Sequence, residues 1–303
     1  MKTDSQIMNE LAAKSSILHK LTEKESLALK HMLLKMLSDF NKVCEENSIQ
    51  YMLAGGSCLG VIRHQGFIPW DDDLDIMMNR PDYDRLVDLC TKGILGDLYE
   101  IDVPRADRDS KSPYLKIYRK GTLDNEIYNE NTPFPKGIFL DVFPMAAAPS
   151  SKALRKFKGA VSDLLHVICT CVLYSQYPSK QYKAFVAQDP EALKRYRLRL
   201  LLGRLFGVIP HRKWVYWFDR YNSSAKNTGF ITIPTGRKHY FSETRENSVY
   251  FPIRYGVFEG MKVPICNDPN KYLQSLYNNY MELPPEGKRE RHLVYQFDCP
   301  FSE

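Results

Sequence analysis

The chain has 303 residues, 44% of them hydrophobic and 26% charged, with 42 Lys and Arg against 36 Asp and Glu. This composition excludes a disordered or low-complexity chain and leaves room for one large domain or two smaller ones. The net charge of +6 is unevenly spread, because eight Lys and Arg against two acids fall between Glu191 and Arg220.

The seven cysteines are scattered and form no C-x-x-C, so they signal neither a disulfide framework nor a zinc site; buried small hydrophobes are expected. Met1 to Leu11 is polar with no signal-peptide core, and no run reads as long enough to span a bilayer. A cytoplasmic protein in a reducing compartment is expected.

Residues 1–50 read as helix. Thr22 with Glu25 makes a capping box, and Leu27, Leu29, Met32, Leu33, Met36, Leu37 and Phe40 follow as its apolar face. Tyr51 to Ala54 reads as a short strand ended by Gly55 and Gly56, followed by a short helix from Ser57 that Phe67-Ile68-Pro69 breaks. Asp73 to Met78 reads as a second strand, and Asn79 with Pro81 opens a helix. Strands are expected at Leu98 to Val103, Tyr114 to Arg119 and Ile138 to Val142, an α/β order over 51–150. Residues 151–225 read as an insert of basic, amphipathic helices. Over 226–303 short strands are expected at Ile231 to Ile233, Ser248 to Phe251 and Val257 to Val263, then a helix from Pro269 to Tyr277 capped by Asp268.

The chemistry concentrates at Asp71, Asp72, Asp73 and Asp75. Like charges this dense need a cation. Asp73 and Asp75, two apart on an expected strand, share a face; Asp71 sits on the approach and Asp72 is expected to point away. Asp141 interrupts the apolar strand Ile138 to Phe143, and an unpaired carboxylate buried there costs several kcal/mol, so it needs a partner. If the two strands are neighbours, Asp73, Asp75 and Asp141 converge on a hard-cation site suited to Mg²⁺, with Mn²⁺ as the alternative. Gly55-Gly56-Ser57 supplies the other half: backbone amides and a helix start that seat a phosphate. Alone, Gly-Gly-Ser is usually a turn and an acidic tetrad is often a solvated loop; their combination on successive elements is what points to phosphoryl transfer.

The stretch from Gly55 to Ile76, with Arg63-His64-Gln65-Gly66-Phe67-Ile68-Pro69-Trp70-Asp71-Asp72-Asp73-Leu74-Asp75, resembles the signature of the LicD family. Leu140-Asp141-Val142-Phe143-Pro144, Phe258-Glu259-Gly260, Val263-Pro264 and Tyr280 to Pro285 resemble further elements, so the similarity runs from about Met52 to His292. Two positions depart: Tyr277-Asn278 stands where the family has Tyr-Gly, and Cys58 where a larger aliphatic is commoner. The resemblance implies a nucleotidyltransferase-like mixed sheet carrying the helical insert and short C-terminal strands. It implies Asp71, Asp73, Asp75 and Asp141 as metal ligands, with Asp141 also a candidate base. The activity implied is transfer of a phospho-alcohol, phosphocholine first, from a CDP-alcohol such as CDP-choline to a glycan or teichoic-acid precursor, releasing CMP.

Other residues carry two readings each. Arg63 pairs with a phosphate or with an aspartate of the cluster, and His64 is a structural histidine before a catalyst. Trp70 packs under the acidic loop or stacks on a cytosine. Lys116 reaches the pyrophosphate or lies on a solvated strand face. Lys288, Arg289, Arg291 and His292 bind an acidic acceptor or solvate the tail. Leu193 to Phe206, with Trp214 and Trp217, mixes bulky apolar residues with arginines as interfacial helices do, or is an ordinary solvated face; contact with the inner face of a membrane is the functional version. Competing functions are a nucleotidyltransferase modifying protein or RNA, and a non-catalytic membrane or nucleic-acid module. No nucleic-acid partner is expected, and an Asp-x-Asp glycosyltransferase fits less well.

Overall fold

The computed structural model describes residues 4–300 apart from 286, 288 and 290. Two helices, α1 (Asp4–Lys14) and α2 (Glu23–Glu46), stand where one helical region was expected. The break has a local cause: Ser15 Oγ accepts the Ile17 amide at 3.1 Å, offering the backbone an alternative to the helix. Thr22 and Glu25 then form the full capping box of α2. Leu29, Leu33, Met36 and Phe40 are buried, whereas Leu27 is exposed, because at 100° per residue it lies across the helix from them.

The central sheet contains β1 (Met52–Leu53), β2 (Asp75–Asn79), β3 (Tyr99–Asp102), β4 (Leu115–Arg119) and β6 (Phe139–Ala147), in the order β1-β2-β6-β4-β3. Strands β2 and β6 pair in parallel, whereas the β1–β2, β4–β6 and β3–β4 pairs are antiparallel, so the sheet is mixed. Helix α3 (Gly55–Arg63) begins two residues earlier than expected, so both glycines lie inside its first turn. Helix α4 (Arg80–Thr91) starts at the Asn79 cap, whose side chain accepts the Asp82 amide. Strand β5 (Leu123–Glu126), with a 3-10 turn at Ile127–Asn129, was not expected; it pairs with β11 (Val294–Asp298) at the far end of the chain.

Four helices follow: α5 (Lys152–Gln176), α6 (Lys180–Val186), α7 (Pro190–Phe206) and α8 (His211–Tyr221). Among the described residues α5 is the one helix long and apolar enough to cross a membrane, which corrects the expectation that no run approaches that length. Gly159, Ser162, Cys171 and Val172 on it are nonetheless buried against the rest of the fold. Strand β7 (Phe230–Thr232) joins β6 and β8 (Arg245–Glu246), with α9 (His239–Ser242) between. Ser248 to Phe251, expected as strand, is instead the one-turn helix α10 (Asn247–Tyr250), closed by the Phe251 amide on the Asn247 carbonyl at 3.1 Å, with Val249 and Tyr250 buried. A hairpin of β9 (Arg254–Phe258) and β10 (Met261–Ile265) turns at Gly260, and α11 (Pro269–Tyr277) ends at Asn278 with φ +58°. With ψ −112° this lies outside the left-handed helical region that Asn tolerates, so Asn278 holds a conformation that glycine adopts far more readily.

The main core packs α2, α3, α4 and α11 against the sheet, with Ile76, Met77, Leu140 and Val142 at its centre. A second cluster joins α1, α6 and α7 through Ile7, Phe185 and Tyr196, and a third joins α5 to α8 through Val172, Val215 and Phe218. Arg80 at the start of α4 forks onto Asp219 of α8, Nη1 to Oδ1 at 2.6 Å and Nη2 to Oδ2 at 3.0 Å, tying the helical segment to the sheet.

Candidate active site

Strand register builds the site. Asp75 on β2 lies opposite Asp141 on β6, and Lys116 on β4 lies opposite Asp141 from the other side. Residues paired this way project from the same face, so Asp75, Asp141 and Lys116 form one row across three strands. Lys116 Nζ stands 2.7 Å from Asp141 Oδ1, close as an ion pair though its angle falls outside hydrogen-bond geometry. Tyr114 OH donates to Asp141 Oδ2 at 3.1 Å. Lys116 is only 4% exposed, which rules out the solvated-face reading for it. Its ammonium also lies 3.5 Å from the centroid of the Phe139 ring. Tyr114, which the sequence reading passed over, sits two residues before Lys116; a phenol at that spacing beside a buried lysine was its only signal.

Asp71 and Asp73 lie on the segment leading into β2. Asp73 is therefore not on the strand as expected, and the shared-face argument does not apply to it. Asp72 does not point away: its carboxylate accepts the His292 amide at 3.1 Å and pairs with His292 Nδ1 at 2.9 Å. His292 Nε2 is 3.9 Å from Asp73 Oδ2, and the ring stands edge-on to Phe139. The sequence placed His292 in a basic tail; no local pattern joins residues 220 apart.

The glycine pair explains how the acids approach α3. A Cβ on Gly55 would stand 2.9 Å from Asp75 Oδ2, and one on Gly56 2.8 Å from Asp71 Oδ2. Gly55 adopts φ +47°, a conformation that an L side chain resists. Ser57 Oγ accepts the Asp75 amide at 2.9 Å, and Gly55 donates its own amide to Tyr272 OH at 3.0 Å. The first turn of α3, the positive end of its dipole, thus lies directly against two carboxylates.

Electrostatics follow from that crowding. Burial, then repulsion from Asp73 and Asp72, holds the Asp71 carboxyl well above its ordinary pKa. Burial, then Asp73, Asp141 and Asp71, does the same to Asp75. Asp73 rises to about 6, through burial and the charges of Asp72 and Asp141, against the opposing pull of His292 and Lys116. Burial disfavours a charged His292, but Asp72, Asp73 and Glu126 outweigh it and raise its pKa well above the usual range. Among the described residues no three His, Cys, Asp or Glu side chains stand together as a finished metal cage. The chemistry of the side chains still suits a hard divalent ion: every candidate donor atom is a carboxylate oxygen, and negative charge accumulates beyond what the neighbouring cations offset. Asp141 has both oxygens engaged, each with a second lone pair left.

Arg63 is not brought onto an aspartate. Its Nη1 donates to the carbonyls of Tyr280 (2.6 Å) and Glu282 (3.3 Å), and Nε to His64 Nδ1 at 3.4 Å, which gives both residues structural work. Trp70 packs against the main core, with the guanidinium of Arg289 4.3 Å from its ring centroid. Beside Asp71 and Asp72 a cavity of about 650 Å³ opens between the α1–α2 linker and the C-terminal segment; Lys20, Lys30, Trp70, Arg289 and Arg291 line it. Lys288 lies outside the described residues.

Comparison with known proteins agrees with this geometry. The family described as "LicD/FKTN/FKRP, nucleotidyltransferase domain" matches residues 48–145. The lipopolysaccharide cholinephosphotransferase LicD of Haemophilus influenzae is 26% identical over 277 residues, covering 87% of this chain and 94% of that protein. Uncharacterized proteins of Rickettsia typhi (RT0683) and Rickettsia prowazekii (RP689) are 40% and 38% identical over 58 residues, about a fifth of each chain. The matched segment holds Gly55, Gly56, the four acids Asp71, Asp73, Asp75 and Asp141, and Lys116, and residues 48–145 of this chain are a LicD family domain.

Proposed function

We propose that this protein is a Mg²⁺-dependent transferase that moves a phospho-alcohol, phosphocholine first among them, from a CDP-alcohol to a hydroxyl of a cell-surface glycan. The carrying observation is the row of Asp75, Asp141 and Lys116 set beside the glycine-opened first turn of α3. The name of the Haemophilus relative supports phosphocholine as the group and a lipopolysaccharide glycan as the acceptor class. A teichoic-acid precursor is the other acceptor of the same chemistry.

In this reading Asp71, Asp73, Asp75 and Asp141 hold the ion, which supplies positive charge toward the diphosphate and the departing CMP. The acceptor hydroxyl oxygen bonds to the phosphorus of the phospho-alcohol, and the phosphorus–oxygen bond to CMP breaks. Asp141 takes the hydroxyl proton, its carboxylate kept in one orientation by Lys116 and Tyr114. Gly55 and Gly56 let the Asp75 and Asp71 carboxylates close on the positive end of α3, and Ser57 holds the Asp75 backbone, so this loop seats the diphosphate through the acids and the ion they would hold. Arg63 contributes indirectly, by fixing the carbonyls of Tyr280 and Glu282 at the end of α3.

The test is a thermal-shift panel of CDP-choline, CDP-ethanolamine, CDP-glycerol and CDP-ribitol, with and without Mg²⁺, followed by CMP release with the ligand that binds. A ligand held by the folded state raises its melting temperature. Stabilisation by one CDP-alcohol that needs Mg²⁺ and is lost in Asp73→Asn is expected. No shift with any of the four in Mg²⁺ would end the reading.

A further inference from the structure

Among the described residues, nine of the seventeen exposed large hydrophobic side chains lie between Leu154 and Trp217, a segment of about a fifth of the chain. Their placement follows from how α5 and α7 pack. A Cβ on Gly203 would fall 1.9 Å from the Cys171 carbonyl oxygen, so the Gly203 side of α7 is pressed onto α5. Leu198, Leu201 and Leu205 lie on the opposite side of α7 and are 55%, 64% and 66% exposed. Helix α7 is thus apolar on two faces and has a partner for one.

The second uncovered surface is on α5. Phe157, Leu164 and Val167 share the face of Cys171, but α7 ends at Phe206 and leaves that upstream half bare. Val208, in the turn where α7 gives way to α8, is 85% exposed, and Trp217 on α8 is half-exposed. Charge is equally one-sided. No acidic residue occurs from 192 to 218 or from 152 to 162. The two acids flanking the first stretch are engaged, Glu191 with Arg195 and the buried Asp219 with Arg80. Lys194, Arg197, Arg204, Arg212 and Lys213 are exposed around the leucines.

We infer that this face docks on the surface of an anionic lipid bilayer, with the leucines, Val208 and Trp217 at the acyl boundary and the basic side chains at the headgroups. Aliphatic side chains ringed by Lys and Arg suit a lipid interface, where both parts of the pattern are used; a nucleic acid would meet the cations but leave the leucines in water. The inference does not depend on the transfer reaction, and its test reads no activity.

The experiment is co-sedimentation of the full chain with vesicles of phosphatidylethanolamine and phosphatidylglycerol, and with vesicles of phosphatidylcholine alone, across a salt series. Binding to the anionic vesicles that weakens with salt is expected, with a blue shift of tryptophan emission that Trp217→Phe reduces. Leu201→Glu with Leu205→Glu should weaken the partition by about tenfold or more, and Arg197→Gln with Arg204→Gln and Lys213→Gln should remove the preference for anionic lipid. All these positions are exposed, and circular dichroism checks that each variant folds. Equal binding of wild type and the leucine variant overturns the inference, as does absence of binding at low salt. A dimer in gel filtration that the leucine variant splits, with no vesicle binding, assigns the face to self-association instead.

Discussion

Asp75 and Asp141 occupy matching positions on two adjacent parallel strands, so two carboxylates share one face of the sheet with a single lysine, Lys116, at the end of the row. One cation against the buried Asp141 and the part-buried Asp75, with Asp71 and Asp73 close by, leaves the arrangement short of positive charge. Stability and function then pull in opposite directions at Asp75. Its carboxyl is held well above the ordinary range by burial first and then by Asp73, Asp141 and Asp71, so the ionised form destabilises the fold at neutral pH. Asp75→Asn is expected to raise the melting temperature in EDTA while abolishing transfer and Mg²⁺-dependent stabilisation. A thermal melt with and without Mg²⁺ checks both; a lower melting temperature in EDTA counts against the repulsion argument.

Lys116 is the counterpart. Lys116→Met leaves Asp141 buried beside Asp75 with only Tyr114 as partner, and breaking a buried pair from one side costs about 3–5 kcal/mol. Lys116→Met with Asp141→Leu removes both charges and should recover most of that loss. Urea unfolding of the two variants measures the difference, and an equal loss in both would show that the pair itself contributes little.

The sequence made this neighbourhood legible because its signals are local. The Thr22–Glu25 box, the Asn79 cap with Pro81 and the acids spaced around Asp73 each declare themselves within a few residues. What it hid depends on partners far along the chain. Asp72 meets His292 across 220 positions, and β5, polar in Asp124, Asn125 and Glu126, finds its mate β11 beyond Leu293. Buried polar residues such as Glu126 also mislead pattern reading, since Lys111 stands 3.6 Å away to compensate a charge that would otherwise mark a loop. The helix at Asn247–Tyr250 is a third kind of miss: Val249 and Tyr250 favour strand, yet a single turn closes through the Phe251 amide on the Asn247 carbonyl.

Two histidines in the helical segment set an acid limit on stability. His211 is 4% exposed, and burial lowers its pKa to about 4; its ring nitrogens lie near the backbone of Ser110 and Cys169 without meeting hydrogen-bond geometry. Burial, then His239, lowers His166 to about 4 as well. With the folded pKa below the unfolded one, the unfolded chain binds more protons between the two values. The stability is therefore present above about pH 6.5 and falls as pH drops toward 4, with a slope approaching about 1.4 kcal/mol per pH unit for the fully buried His211. Urea midpoints across this range should show a shallower slope in His211→Gln than in the wild type. An unchanged slope would mean that His211 is hydrated.

The Arg80–Asp219 fork joins α4 to α8 and has no role in the site. Arg80→Met strands Asp219 in the interior and is expected to destabilise by about 3–5 kcal/mol, whereas Arg80→Met with Asp219→Leu should lie close to wild type. Unfolding followed by two signals checks a further consequence: tryptophan emission in a Trp70→Phe background, which leaves Trp214 and Trp217 of α8, and far-ultraviolet dichroism for the whole chain. The two transitions coincide with Arg80 present and separate in Arg80→Met, because the fork is a buried polar tie between α8 and α4 on the sheet.

Gly55 and Gly56 are adjacent yet should respond differently to a methyl group. At Gly56 the obstacle is one side chain: the new Cβ would lie 2.8 Å from Asp71 Oδ2, and φ is not positive. At Gly55 the obstacle is double, the Asp75 carboxylate at 2.9 Å and a backbone held at φ +47°. Gly55→Ala should therefore destabilise by about 1–2 kcal/mol more than Gly56→Ala, the added cost of a left-handed conformation for an L residue. Pairing each with removal of its acid separates the causes. Asp71→Ala should relieve most of the penalty of Gly56→Ala, while Asp75→Ala should relieve only part of that of Gly55→Ala, because the backbone strain remains. Equal relief in the two cycles, measured by urea unfolding, would place the whole cost in the carboxylates and none in the backbone.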